Sequence, residues 1–274
     1  MPGHATRTKP DQRRIVTPEV LASERISPNF VRVTVGGPEL AAFAPMGHDQ
    51  WFRLFLPGPD GLRLPTTTNN VVALAQFLMM SKQTRPLLRN YTVRDHRAAG
   101  AGRFGDTDEV DIDFVAHGDG GAASAWAEAV APGTRIGLLD EGITYRLPYD
   151  YDWTLLAGDE SALPAIAGVL RSAPRTLRGA AFLEIPHPDD RQELGEPAGV
   201  EVTWLPRTGH NTPIGALATE AVRAARLPAA GVYAFIAGEQ KLATGIRRHL
   251  VNDRGIPKAD INFAGYWRLG KAHP

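Results

Sequence analysis

Arg89-Asn90-Tyr91-Thr92-Val93-Arg94 follows Pro86 and Leu87-Leu88, and its reading organises the rest of the chain. Apart from Asn90 the run consists of strand-forming residues with a fixed cation near each end, and a strand sends alternate side chains to opposite faces. Arg89, Tyr91 and Val93 therefore share one face, with Thr92 and Arg94 on the other. The first face offers a guanidinium for bidentate phosphate contact and a ring for a planar heterocycle. Thr92 adds a hydroxyl that donates or accepts at a ring nitrogen. An ordinary antiparallel strand with two solvated arginines is the plain alternative.

At 274 residues the chain exceeds the usual single domain, so two domains are expected. A net charge of +0 argues against a nucleic-acid binder or a polybasic membrane protein. The absence of cysteine removes disulfides, thiolate-bound zinc and cysteine-ligated iron–sulfur clusters. An electron carrier, if present, is then organic, haem or a bound substrate. The eight histidines are scattered without a close ligand pair, so no protein metal site is predicted. Residues 1–14 are polar and basic without an apolar core, unlike a secretory signal. The longest apolar run, Val71 to Met80, has about half the length of a bilayer span. A cytoplasmic protein without membrane insertion, monomeric or weakly dimeric, is the expectation.

In chain order, Arg13 to Val20, Asn29 to Val35 and Gln50 to Pro57 read as strands, with Gly36-Gly37-Pro38 and Pro57-Gly58-Pro59-Asp60-Gly61 as stops. Val71 to Met80 reads as a short packing helix behind the caps Asn69-Asn70, in preference to a lipid-binding element. Glu109 to Ala116 alternates apolar residues with Asp111 and Asp113, as in a half-buried strand. With Thr134 to Asp140 this makes about six short strands, which suits a small antiparallel β-barrel. After the connection Thr144 to Asp152, strands at 153–157, 179–185, 200–205, 231–237 and 262–265 alternate with helices at 161–170, 213–226 and 242–251. That alternation implies an α/β domain with a doubly wound parallel sheet. The expected domains are residues 1–147 and 148–274.

His117-Gly118-Asp119-Gly120-Gly121-Ala122-Ala123-Ser124 follows a strand and opens a helix, a place where glycines admit a ligand and unpaired amides attract a pyrophosphate. In the parallel half, ligands bind beyond the carboxyl ends of strands. Gly158-Asp159-Glu160-Ser161-Ala162-Leu163-Pro164 sits there without the Gly-x-Gly-x-x-Gly spacing. Glu184 ends the next strand, either as a ligand for the ribose hydroxyls of NAD or as a solvated strand end, with Arg191 or His187 available to NADP instead. Ala237-Gly238-Glu239 ends another strand, and Gly265-Tyr266-Trp267-Arg268-Leu269-Gly270-Lys271 lies in the tail of the sequence.

Taken together these stretches resemble the siderophore-interacting protein family within the ferredoxin-reductase-like flavoproteins. The matching motifs are Arg-x-Tyr-Ser/Thr, His-Gly-Asp-Gly-Gly-x-Ala-Ser, Gly-Asp-Glu-Thr/Ser-Ala-Leu-Pro, Ala-Gly-Glu and the Gly-Tyr-Trp-Arg-x-Gly ending. Asp140-Glu141-Gly142 departs from the Gly-Pro-x-Gly common in relatives. The resemblance implies an N-terminal FAD-binding barrel and a C-terminal nicotinamide-binding domain. It assigns FAD to Arg89, Tyr91, Thr92, Asp113, His117, Gly121, Ala122, Ala123 and Ser124. NADH or NADPH falls to Asp159, Glu160, Ser161, Glu184, Gly238 and Glu239, with Trp267 covering a flavin face. Arg268 and Lys271 offer charge to an anionic ferric siderophore.

The implied reaction takes a hydride from NAD(P)H to the flavin N5, oriented by Thr92 and by stacking on Tyr91, and passes electrons on to ferric iron. Three other readings stay open. Reduced ferredoxin is a different donor; a flavin- or siderophore-binding module has no turnover; and a hydrolase would use Ser161, although the Gly-x-Ser-x-Gly elbow is absent.

Overall fold

In the computed structural model, which describes residues 7–81, 83–116 and 121–270, Thr8–Met46 with Gln50–Ile143 form one unit. Its strands are β1 (Ile15–Val16), β2 (Glu19–Ser27), β3 (Phe30–Gly36), β4 (Trp51–Leu56), β5 (Leu87–Thr92), β6 (Asp95–Arg97), β7 (Glu109–Val115) and β8 (Gly137–Gly142). Helix α1 (Asn70–Met79) lies between β4 and β5, and α2 (Ala122–Ala129) between β7 and β8. Every pairing is antiparallel, in two four-stranded sheets ordered β1-β8-β4-β5 and β2-β3-β7-β6. Backbone bonds join the sheets at both edges. Val20 donates to Thr134 at 2.9 Å and Ile136 to Pro18 at 3.1 Å on one side. On the other, Val93 donates to Gln50 at 2.8 Å and Arg94 to Asp111 at 2.9 Å. Residues 92–94 thus carry the chain from one sheet to the next and close the barrel around Val33, Val35, Phe52, Leu54, Ile112, Phe114 and Leu138.

Three local expectations need correction. The strand predicted over Arg13 to Val20 is broken at Thr17-Pro18, because proline has no N–H for a ladder, and its second half runs on to Ser27. α1 forms, with the Asn69 side chain accepting from the amides of Val71 at 3.1 Å and Val72 at 3.3 Å, but none of its residues is fully buried, so it rests on the sheet only through half-buried Ala73 and Phe77 and leaves most of its apolar side chains exposed. β7 is not half-solvated, since Glu109, Asp111 and Asp113 are all buried. Arginines from neighbouring strands make this possible. Arg97 reaches Glu109 at 3.1 Å and both oxygens of Asp111 at 2.8 Å, and Arg32 grips Asp113 at 2.7 and 2.9 Å. Arg94, read as solvated in the plain alternative, is buried with its Nε 3.4 Å from Asp113. Glu141 is likewise buried against Arg13 at 2.6 Å and Arg53 at 2.8 Å, binding β8 to its neighbours.

The other unit contains Gly47–Asp49 and residues 144–270. Asp49 belongs with it because its buried carboxylate accepts from the amides of Thr144 at 2.9 Å and Tyr145 at 2.8 Å. Its elements are β9 (Trp153–Gly158), α3 (Leu163–Ser172), β10 (Arg178–Ile185), β11 (Gly199–Pro206), α4 (Ala216–Ala224), β12 (Val232–Glu239), α5 (Gln240–Asn252) and β13 (Ile261–Trp267). The five strands form one parallel sheet ordered β11-β10-β9-β12-β13. The order reverses between β9 and β12, which sets the switch point at the ends of those two strands. α4 starts later than the helix predicted from Pro213. Gly215 before it has φ 87°, and a Cβ there would lie 2.6 Å from that of Leu242.

The buried acid–arginine ladder generates a stability prediction. Burial pushes the Asp111 carboxyl up, but hydrogen bonds from Arg97 and Thr34 and the charges of Arg97 and Arg32 outweigh it and hold it below its ordinary range. Arg97→Met leaves Glu109 and Asp111 without their main partner and should cost about 3 kcal/mol or more in urea unfolding at neutral pH. A depressed folded pKa stabilises at neutral pH and loses that contribution as pH falls through it, so the gap between wild type and variant should narrow in acid. A gap unchanged from neutral to strongly acid pH contradicts this assignment.

Candidate functional site

In the barrel, β5 places Leu87 and Tyr91 against the core while Leu88 faces the opposite side. The Tyr91 ring lies 4.4 Å from Phe114 of β7, which in turn lies 5.9 Å from Trp126 of α2. This aromatic chain brings the Arg89–Thr92 stretch and the start of α2 onto adjacent elements. Burial pushes the Tyr91 hydroxyl up, against the nearby Arg89 charge, so the phenol stays neutral at physiological pH. Thr92 is buried, and Arg89 donates through Nη1 to the Leu88 carbonyl at 2.7 Å.

Gly121 is the N-cap of α2, and among the described residues no side chain caps the first turn. Among the described residues, added bulk at Gly121 would meet nothing within 4 Å, so their side leaves the helix start open. Ser124 donates its hydroxyl to the Val115 carbonyl at 2.7 Å and its amide to Gly121 at 2.9 Å, which leaves the amides of Ala122 and Ala123 as the outward donors. A fixed guanidinium, a neutral ring and an uncapped helix start make a donor set that fits the pyrophosphate and the flat ring system of FAD. The Asp113 carboxylate is held between Arg32 and Arg94. His117 and Lys271 lie outside the described residues.

At the switch point of the parallel sheet the predicted residues do come together. Asp159 accepts from the Ser161 amide at 2.9 Å, the Ser161 hydroxyl at 2.5 Å, the Glu239 amide at 2.6 Å and the Trp267 indole N–H at 3.0 Å. The ends of β9, β12 and β13 are thereby tied to one carboxylate. Gly238 has φ 130°, and a Cβ on it would stand 2.7 Å from the Asp159 carboxyl, so only glycine fits. Glu239 caps α5, accepting from the amides of Lys241 and Leu242, and also takes the Leu269 amide at 3.3 Å. Ser161 belongs to a cap, which gives the hydrolase reading nothing to build on. Arg268 is exposed just beyond β13. Among the described residues no cluster of three or more His, Asp or Glu side chains suits a metal.

Glu184 is neither a solvated strand end nor an open ribose acceptor. It is fully buried, accepting from the amides of Gly215 at 2.7 Å and Ala218 at 3.1 Å at the start of α4, with Arg207 at 3.4 Å. Arg207, missed in the sequence, also grips both oxygens of Glu160 at 2.7 and 2.8 Å. Its signal was positional. Residues just past parallel strands share one sheet edge, so a cation after β11 faces the acids that end β9 and β10. The alternative NADP residues sit apart from this network, with Arg191 exposed and His187 capping a short 3-10 turn at Pro188–Asp190.

Burial and the adjacent Glu160 charge push the Asp159 carboxyl up to about 6, against hydrogen bonds from Ser161 and Glu239. The Trp267 indole N–H resonance should therefore titrate with a midpoint near 6 and lose its pH dependence in Asp159→Asn. Because folding raises this pKa, the associated stability is full below the ordinary value of 3.8 and is lost as pH rises through about 6. An indole resonance that is flat with pH in the wild type contradicts the bond.

With this geometry in place, comparison with known proteins is informative. The model of the siderophore-interacting FAD-binding domain matches residues 19–144, and that of the siderophore-interacting protein matches residues 151–270. Ferric vibriobactin reductase ViuB of Vibrio cholerae is 32% identical over 253 residues, covering 90% of this chain and 86% of that protein. The NADPH-dependent ferric-chelate reductase of Escherichia coli is 28% identical, with coverage of 90% and 91%. A crystal structure of a siderophore utilization protein from T. fusca superposes with a TM-score of 0.80 at 31% identity, over 97% of both chains. The antiparallel barrel of this chain falls within the match to the FAD-binding domain of that family and its parallel sheet within the match to the second model, and the chain belongs to the siderophore-interacting protein family.

Proposed function

We propose that the chain is an FAD-dependent oxidoreductase that passes electrons from NADH or NADPH to a ferric siderophore. The observation that carries this reading is the joining of β5 to the open start of α2 through Phe114, within a domain of the FAD-binding type. The ferric vibriobactin and ferric-chelate reductases among its relatives support the acceptor, and the latter's name supports NADPH.

Arg89 and the amides of Ala122 and Ala123 bind the pyrophosphate, with Gly121 leaving room for it and Ser124 pinning the helix start to β7. Tyr91 supplies a neutral surface for the flavin ring, and Thr92 a hydroxyl toward its reactive nitrogen. FAD held by these residues would supply the exchange between a two-electron hydride donor and a one-electron acceptor. The loops carrying Asp159, Glu160, Ser161, Gly238 and Glu239 edge the nicotinamide site, where Asp159 orients Trp267. Arg268 draws in an anionic ferric chelate. Fe(II) has less charge than Fe(III) and holds anionic oxygens less firmly, so reduction frees the iron. Positioning rather than acid–base chemistry is what these residues supply.

One observation favours a second donor class. Glu160, Glu184 and Glu239 are committed to Arg207 or to backbone amides, which leaves the nicotinamide fewer side-chain contacts than the motifs imply. Reduced ferredoxin is that second reading.

An anaerobic visible spectrum of the FAD-loaded protein separates the cases. Bleaching by NADH or NADPH, then recovery on adding a ferric siderophore with a ferrous trap as the ferrous complex appears, is the expected result. A flavin that bleaches only with reduced ferredoxin supports the second reading, and one that no donor bleaches leaves a binding module. Arg89→Ala removes a charge-assisted contact of about 1.5–3 kcal/mol and should weaken FAD binding roughly ten- to hundredfold by fluorescence titration.

A further inference from the structure

Of the five α-helices among the described residues, α1 alone buries no residue. Among the described residues, five of the nine large exposed hydrophobic side chains lie on it: Val71, Val72, Leu74, Leu78 and Met79, the last 87% exposed. At about 100° per residue these five and Ala75 fall within one arc of roughly 160°. Ala73 and Phe77, on the opposite side, already line a groove with Phe55, Leu88 and Leu139 on the outside of the β1-β8-β4-β5 sheet. The apolar stripe therefore faces away from the barrel. Asn70–Met79 carries no charge, the reverse of an ordinary surface helix.

The flanks are biased in one direction. Between Asp60 and Asp95 the sequence has no acidic residue but has Arg63, Lys82, Arg85, Arg89 and Arg94, in a chain of net charge +0. Arg63 is exposed before the helix. Arg85 folds back on its end, donating to the carbonyls of Leu78 at 2.8 Å and Met80 at 3.0 Å, and lies 5.4 Å over the Phe77 ring. An apolar stripe bordered by cations complements the headgroup and acyl boundary of an anionic bilayer. A second copy suits it less well. A two-fold interface would set the same cations against one another with no acid in the segment to pair them.

We propose that α1 docks the protein on the surface of an anionic membrane, its Val71–Met79 stripe entering the headgroup boundary and Arg63 and Arg85 meeting lipid phosphates. This is a peripheral contact, since no described helix is long and apolar enough to cross a membrane. It is independent of the redox reading.

Co-sedimentation of the full chain, with FAD added, against phosphatidylcholine vesicles and against vesicles containing phosphatidylglycerol tests it. The expected result is binding to the anionic vesicles only, weakened by salt. Leu78→Glu combined with Met79→Glu should reduce the bound fraction at least about tenfold while leaving circular dichroism unchanged, and Arg63→Glu should weaken binding on its own. Absence of binding to anionic vesicles, or unchanged binding by the double variant, overturns the proposal. So does a wild-type dimer in sedimentation that the double variant dissolves, because the stripe would then be an interface between copies.

Discussion

A carboxylate cut off from water must find its donors inside the protein, and the ends of the parallel sheet are arranged around that requirement. Asp159 collects two amides, a hydroxyl and an indole N–H, and so locks the last residues of β9, β12 and β13 to one point. Glu160 and Glu184 share Arg207, while Glu239 is held by the start of α5. The barrel solves the same problem on β7, where Arg32, Arg94 and Arg97 neutralise a face of buried acids. These acids are framework. What each unit leaves for a ligand is mainly backbone amides and cations, which suits phosphate-bearing cofactors and an anionic iron chelate.

β5 has two faces with different work. Tyr91 turns inward to Phe114 and the start of α2, whereas Leu88 turns outward beneath α1. On the two proposals, the flavin surface offered by Tyr91 and the docking helix lie on opposite sides of one strand. A change in the apolar stripe of α1 need not disturb the ring surface.

The main outline was legible because it rests on local chemistry. The Arg89–Thr92 strand, the glycine-rich helix start and the alternation of β9 through β13 all follow from short-range pattern. What escaped depends on neighbours distant in sequence. Alternation located Asp111 and Asp113 on one face of β7, yet only the sheet order brings Arg32, Arg94 and Arg97 over that face. Glu184 stood at a strand end as expected, but the α4 amides that claim it lie 31 and 34 residues away. The apolar composition of α1 suggested packing because hydrophobicity alone does not say which surface a helix meets. Pro18 and Gly215 were local signals, and each moved an element boundary by breaking regular backbone.

The position of FAD in the holoprotein tests the central claim most directly. A crystal structure of the FAD-loaded chain should show pyrophosphate oxygens within hydrogen-bond range of Arg89 and of the amides of Ala122 and Ala123, with the flavin ring over Tyr91. A flavin bound elsewhere, with Arg89 and the α2 start touching no phosphate, would contradict the account.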